Sequence, residues 1–454
     1  MKKTGSMDLT QGNIPLQVIS VAIPILLGQV FQNLYNSVDS LVVGNFVGTT
    51  ALAAVSSCSD IANLLIGFFT GLSIGAGVLF SRCFGAKDYE KLHRSIHTAT
   101  LFSAIIGAVM AVVGIVLTPP LLRLVKCPAD VYPEAEIYLR IYLIGIFFTS
   151  IYNVASGVLR ALGDTKRPLY YLVVASCCNI FLDILLVAVV PMGVAGVAIA
   201  TIISQCASCV LIFRKMLTTD DHYRLVLRDL RIDKDILIDV MKLGLPTAIQ
   251  GGLVSLSNLI VQRYINSFGS TAMAGVGAAK KIDKYVSEFS QAFGHTTPVF
   301  VGQNVGAKNY DRAGKGIRWM SGMAVFCVIM IGIPVYLAAP SLVRLFIKDE
   351  AAIACGVSML HVLIPSYFLL VLHQIVSNAI RGYGYSTTAM IFSMTGLIGV
   401  RQLFLLVAMK YFDSLSTVFM SFPIGWGFSG LLSLLFYLFV VKRRTGKETL
   451  PDSQ

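Results

Sequence analysis

The sequence predicts an all-α integral membrane protein, with twelve transmembrane helices in two parallel-repeat six-helix lobes around a central cleft. Three observations carry this expectation. Apolar residues make up 56% of the 454 positions and charged ones only 13%, with a mean hydropathy of +0.75, well outside the range of soluble globular chains. Nearly uncharged runs of about 20 residues, the helical length that crosses a hydrocarbon core of about 30 Å, recur throughout. The chain also contains itself twice. Gly85-Ala86-Lys87-Asp88-Tyr89 returns as Gly306-Ala307-Lys308-Asn309-Tyr310, Gly48-Thr49-Thr50-Ala51 as Gly269-Ser270-Thr271-Ala272, and Arg160 as Arg381, each pair 221 positions apart (306 − 85, 269 − 48, 381 − 160). A shift held without a gap over that distance marks a duplicated structural unit.

The apolar runs place spans near 14–36, 51–80, 96–118, 137–157, 169–190 and 194–213 in the first copy. The second copy supplies 240–265, 271–303, 319–338, 354–379, 388–411 and 418–441. They lack strict alternation and are too long for membrane strands, which excludes a barrel. The first run follows two lysines and is long enough to remain as a helix, so no cleaved signal is expected. Residues 1–213 form the expected N-lobe, 214–239 a charged linker without Gly or Pro, 240–441 the C-lobe and 442–454 a tail. An even number of crossings per lobe starts both copies on the same side, so the repeats are parallel. Pro24, Pro246 and Pro365 fall within spans, where each removes a backbone hydrogen bond and favours a kink.

The net charge of +12 raises nucleic acid as a partner, and its placement argues against it. With a cytoplasmic N-terminus, the inner loops collect most of the Lys and Arg, among them Lys87, Lys91, Arg94, Lys166 and Arg167. The outer loops hold only Arg123, Lys126, Arg344, Lys348 and Lys410. This positive-inside bias puts both termini in the cytoplasm and ties the basic balance to topology. Of the nine cysteines, all but Cys83, Cys127 and Cys355, the last at the very edge of its span, lie well inside spans and read as small buried hydrophobes.

Ionisable residues inside spans cost about 2.5–3.5 kcal/mol on insertion scales, so each is a functional candidate. The first copy has two. Asp39 shares a face of span 1 with Gln32 and Tyr35, and Asp183 shares a face of span 5 with Ser176 and Asn179, at the same spacings of seven and four. Thr201, Ser204 and Ser208 form a weaker stripe in span 6. Such acids can exchange a proton, cage a small hard cation such as Na⁺ through oxygen ligands, or serve as a polar knot fastening three helices. Shifted by 221, Asp39 and Asp183 land on Ile260 and Phe404, so the copies share an architecture and differ in chemistry.

The second copy carries Lys281, Lys284, Glu288, Gln291 and His295 as one stripe on span 8, flanked by Lys280 and Asp283. Span 7 presents Gly251, Ser255, Asn258 and Gln262, and span 10 presents Gln374, Ser377 and Asn378. These faces read as cavity walls or as interhelical hydrogen bonding. With Tyr35 and Asn36 of span 1, the residues Asn258, Gln262, Lys284, Glu288, Gln291, Gln374 and Asn378 make up the expected substrate cavity. Lys281 maps onto Asp60, and the pair is a candidate outer gate. Arg401 in span 11 has no assigned role. No P-loop, H-E-x-x-H or G-x-S-x-G is present, so neither an enzyme nor a cofactor is expected.

The chain resembles the multidrug and toxic compound extrusion (MATE) family over nearly its whole length. The likeness rests on Pro24 with Tyr35 to Asp39 and Gly44, Ala51-Leu52-Ala53-Ala54-Val55, Arg160-Ala161-Leu162-Gly163-Asp164-Thr165, Asn179 to Asp183, and Gly302-Gln303-Asn304-Val305-Gly306-Ala307. The resemblance implies a secondary antiporter in a bacterial inner membrane, monomeric, exporting drugs or metabolites in exchange for H⁺ or Na⁺ by alternating access. It also implies that Asp39, Asn179, Asp183 and Thr201 form the ion-coupling cluster of the prokaryotic DNA-damage-inducible branch. The other large prokaryotic branch adds acids in spans 7 and 10, where this chain has none around Val254 and Ser255 or from Gln374 to Ile380. Many members take organic cations, whereas the basic stripe of span 8 suits anionic or zwitterionic cargo. A lipid-linked oligosaccharide flippase of the same superfamily and an uncoupled channel or scaffold are the alternatives. If Asp60 and Lys281 close the outer side together, exchanging the two charges restores transport lost in either single mutant, as vesicle efflux would measure.

Overall fold

The computed structural model describes residues 6–124 and 127–443, and all of its regular structure is helical. The helices of the first copy are α1 (Ile14–Val42), α2 (Thr49–Gly85), α3 (Tyr89–Leu124), α4 (Tyr132–Ala161), α5 (Lys166–Asp183) and α6 (Gly193–Thr218). The second copy has α7 (Lys234–Ser267), α8 (Ser270–Gly306), α9 (Tyr310–Leu337), the short α10 (Ala339–Arg344), α11 (Glu350–Leu363), α12 (Tyr367–Gly382), α13 (Ser386–Met394), α14 (Arg401–Ala408) and α15 (Leu415–Phe436). Among the described residues eleven helical segments are long and apolar enough to span a membrane. The remaining long helix, α8, is less apolar than these, and it matches α2 in length at 37 residues. At 1.5 Å per residue each reaches about 55 Å, longer than the hydrocarbon core.

The duplication is visible in backbone detail. α2 and α8 both follow a glycine with positive φ, +121° at Gly48 and +89° at Gly269, a region costly for residues with a Cβ. Both end in turns where a lysine takes the left-handed conformation, Lys87 at 57° and Lys308 at 56°. The residue after each lysine then caps the next helix. Asp88 Oδ1 accepts from Lys91 N at 2.9 Å and Asn309 Oδ1 from Arg312 N at 3.3 Å, satisfying a backbone donor of the first turn.

Of the three prolines expected to kink spans, two leave their helices unbroken: Pro24 lies inside α1 and Pro246 inside α7. At Pro365 the tenth span passes through a 3₁₀ turn, Ile364–Ser366, between α11 and α12. π-helical turns follow α1 at Val43–Val47 and α5 at Ile184–Val189, and a third, Thr395–Val400, joins α13 to α14 in the eleventh span.

The chain forms two compact units. One joins Leu27–Ala248 with the N-terminal segment to Asp8; the other joins Leu9–Leu26 with the chain from Ile249 onward. The division thus falls inside α1 and α7 and not at the linker drawn at 214–239. The reason is close packing. In the first unit a Cβ on Gly75 would lie 2.2 Å from Cα of Gly244, and one on Gly71 would lie 2.6 Å from Cα of Ala248, so the start of α7 rests backbone to backbone on α2. In the second unit the start of α1 is held by Gln17, whose Oε1 accepts from Arg312 Nη2 at 2.8 Å, and Leu9 N donates to Gln303 Oε1 at 2.9 Å.

The linker is docked as well, and shorter than drawn, because α6 continues to Thr218 and α7 begins at Lys234. Val226 N donates to His97 Nε2 at 2.9 Å, and Asp233 N donates to Thr98 Oγ1 at 3.2 Å. Asp233 also pairs with Arg94, whose guanidinium holds that carboxyl below the usual range. Replacing Gly75 by Ala forces α2 from α7 and lowers stability by about 1–3 kcal/mol, the usual cost of overpacking. Gly67→Ala, on the same helix with open space at its Cβ, is the control in a detergent melting assay.

Candidate functional site

In the first unit, α1 and α5 bring the two membrane acids together. Asp39 and Asp183 lie within side-chain hydrogen-bond reach of each other. Asp183 is fully buried and Asn179, one turn earlier, is 1% exposed. Neither amide atom of Asn179, neither oxygen of Asp183, nor Oδ1 of Asp39 has a conventional donor or acceptor partner among the described residues. The hydroxyls of the polar stripes in α5 and α6 turn to their own helices. Ser176 Oγ donates to Leu172 O, Ser204 Oγ to Thr201 O and Ser208 Oγ to Gln205 O, each within its own helix.

Thr201 is buried in α6, and its hydroxyl donates to Val197 O at 3.0 Å. Tyr35 lies within electrostatic reach of both acids and of Tyr142, and Tyr138 within reach of Asp39. Tyr138 and Tyr142 stack on α4 with ring centroids 5.8 Å apart, a wall that sequence spacing alone had not marked. The carboxyl oxygens with Asn179 Oδ1 form a set of hard oxygen donors, suited to a proton or a small cation such as Na⁺. Each acid also stands just before a π-helical turn, a local widening that commonly accompanies functional positions in helices.

The second unit divides the remaining predicted residues into two groups. Asn378 accepts from Arg381 Nη1 at 2.7 Å and donates to Gln374 O at 2.8 Å, and a Cβ on Gly294 would touch both Asn378 and Gln374. Spans 8 and 10 therefore meet there, with Gln291 one turn away on α8. Gln262 donates to Asn266 Oδ1 at 2.7 Å and accepts from Lys280. Lys284 is exposed, whereas Glu288 is buried at 6% exposure, so the stripe of span 8 runs from an open end into the packed lobe. Asp283, which sequence spacing left as a flanking charge, accepts from the buried Tyr367 hydroxyl. Lys281 places its ammonium over the Phe346 ring, 5.3 Å from the centroid. The side chain of Asp60, the other half of the expected gate, lies outside the described residues, and Asn36 is exposed on α1.

Arg401 is the second unit's central polar group. It is 2% exposed at the start of α14, donating from Nη1 to Asn258 Oδ1 at 2.9 Å and from Nη2 to Ser257 Oγ. Ser257 in turn donates to Leu397 O within the π turn, at 3.0 Å, and accepts from Gln402 Nε2 at 2.7 Å. Shifting by 221 aligns Asn36 and Ser37 with Ser257 and Asn258, and Ile180 with Arg401 (257 − 36, 258 − 37, 401 − 180). Corresponding helix pairs therefore carry an acid pair in one unit and a guanidinium in the other.

A polytopic helical chain of two parallel repeats with ionisable groups packed inside its spans has the make-up of a membrane transport protein. Comparison with known proteins specifies the group. A MatE family model matches residues 24–185 and again 246–406, once in each repeat, and the chain belongs to this family of MATE transporters. It is 30% identical over 433 residues to the probable multidrug resistance protein YoeA of Bacillus subtilis, covering 93% of each chain. It is 21% identical over 391 residues to the multidrug export protein MepA of Staphylococcus saprophyticus, covering 85% of each. The fold matches an outward-facing multidrug resistance MATE family transporter of the MOP superfamily with a TM-score of 0.91 at 22% identity, over 99% of this chain and 100% of that one. It also matches a MOP superfamily transporter from Pyrococcus furiosus with a TM-score of 0.89 at 23% identity, over 98% and 99% of the two chains. The twelve-helix, two-lobe architecture is that of the family, and the chain is not an enzyme.

Carboxyl groups this close can share a proton, and such sharing has a spectroscopic consequence. Infrared spectra of the purified protein at neutral pH should contain a protonated-carboxyl stretch that is absent when both residues are replaced by Asn. An unchanged spectrum in the double variant would remove the shared proton.

Proposed function

We propose that the protein is a secondary active antiporter that exports drugs or metabolites by alternating access, driven by inward movement of H⁺ or Na⁺. Membership of the MatE family and the multidrug names of its relatives support export of small molecules. The observation that carries ion coupling is the meeting of Asp39 and Asp183 inside the first unit, with Asn179 one turn away and short of partners. An ion drives a conformational cycle only if it binds the two states unequally. An acid pair shared between α1 and α5 meets that requirement, because any change in how these helices pack changes the distance over which the acids share a proton or cation.

In the cycle that follows, protonation of the pair from outside joins α1 to α5 through a hydrogen bond and alters their packing against α6. Cargo affinity falls and cargo leaves outward. Loss of the proton to the cytoplasm separates the acids and resets the site. Na⁺ would act on the same oxygens, with Asn179 Oδ1 as a third ligand. Both termini lie in the cytoplasm in this reading, as the distribution of Lys and Arg favours. The polar residues of spans 7, 8 and 10 serve as the cargo surface of the second unit.

Asp183→Asn should reduce gradient-driven dye efflux from inverted vesicles by at least about tenfold, consistent with loss of a group that must change its charge. Asp183→Glu should retain part of it. Imposing H⁺ and Na⁺ gradients separately identifies the coupling ion. Full efflux by the Asn variant, or ion flux independent of dye, would overturn the antiport reading.

A further inference from the structure

Arg401 is a charge in search of compensation. A guanidinium stays protonated under any physiological condition, and one buried among membrane helices costs several kcal/mol unless an opposite charge accompanies it. The described partners of Arg401 are all neutral: the Asn258 amide, the Ser257 hydroxyl and the face of Phe422, 5.3 Å from the guanidinium carbon. Its Nε is buried with no hydrogen-bond partner among the described residues. Most of the cluster is sealed. Ser257 is 1% exposed and is held from two sides by Arg401 and Gln402 while it donates to Leu397 O. Asn258 is the exception, an exposed residue on the same face of α7 as the exposed Gly251 and Ser255. Of the atoms holding the guanidinium, only Asn258 Oδ1 can be exchanged from outside the lobe without dismantling the network around Ser257.

We propose that Arg401 is an anion receptor of the second lobe that binds a carboxylate of the cargo, which takes the place of Asn258 Oδ1 on Nη1. The chemistry fits the group. A guanidinium with free N–H donors binds carboxylates through charge-assisted hydrogen bonds, roughly twice as strong as neutral ones, whereas an amide oxygen offers it only a dipole. The π turn at Thr395–Val400 contributes by presenting Leu397 O to Ser257, which holds α7 against the start of α14 and keeps the guanidinium aimed at the Asn258 side. The substrate class this defines is a zwitterionic or anionic compound with a free carboxylate. As a statement about cargo the inference rests on the export reading above, but the binding itself does not.

The test uses full-length purified protein and a matched pair of dyes, a rhodamine with a free benzoate and its methyl ester, with binding followed by fluorescence polarisation. Arg401→Gln should weaken binding of the acid by roughly tenfold, the scale of losing one charge-assisted hydrogen bond, and leave the ester unchanged. Arg401→Lys, which keeps the charge, should retain part of the preference for the acid. Unchanged binding of the acid in Arg401→Gln overturns the proposal, and so does an equal loss of both dyes, which would mark a structural role. Equilibrium binding needs no ion gradient, so absence of gradient-driven efflux by the wild-type protein would count against antiport and leave this result standing.

Discussion

Every polar decision in this protein answers to one constraint: inside hydrocarbon, a charge or an unpaired polar group must find its partner within the protein. Most of the hydroxyls named within spans obey it cheaply by donating to a carbonyl one turn back in the same helix, as Ser176, Thr201 and Ser208 do. Groups that cannot be satisfied locally are the informative ones. Asp39 and Asp183 turn to each other, and Arg401 gathers an amide, a hydroxyl and an aromatic face. Both arrangements satisfy the constraint only in part, and an incompletely satisfied buried group responds strongly to an ion or a ligand.

The duplicated scaffold shows how this partial satisfaction was distributed. Turns and caps that shape the backbone persist in both copies, including the positive-φ glycines Gly48 and Gly269 and the capping residues Asp88 and Asn309. The residues that carry charge inside the lobes were free to diverge, because the backbone does not need them. The helix pair that holds carboxyls in one unit holds a guanidinium in the other, with Ile180 and Arg401 at matching positions. The two copies thus bury groups of opposite charge in matching helices.

The fold was largely legible because its signals are local and repeated. Apolar runs of membrane length, glycines at helix starts and the constant offset each follow from neighbouring residues, and the helices appear where those signals put them. The lobe boundary was not legible. The charged stretch after Arg214 looks like the lobe boundary, yet the compact units divide within α1 and α7. That division depends on Gly75 meeting Gly244 and Gln17 meeting Arg312, contacts between residues far apart in the chain. The long uninterrupted α8 lies where the run at 271–303 put it, although it is less apolar than the other spans.

For the site, the sequence by itself determined which ionisable residues lie within spans, and the cost of burial made Asp39, Asp183 and Arg401 conspicuous in advance. Helical spacing also put Asn179 on the face of Asp183. What only the tertiary structure decided was the pairing: that the acids of α1 and α5 meet, that Tyr138 and Tyr142 of α4 stand near them, and that Arg401 closes on Ser257 and Asn258 of α7. The physical reason is that helical periodicity fixes the face on which a side chain lies, whereas the partner of that face is set by how separate helices pack.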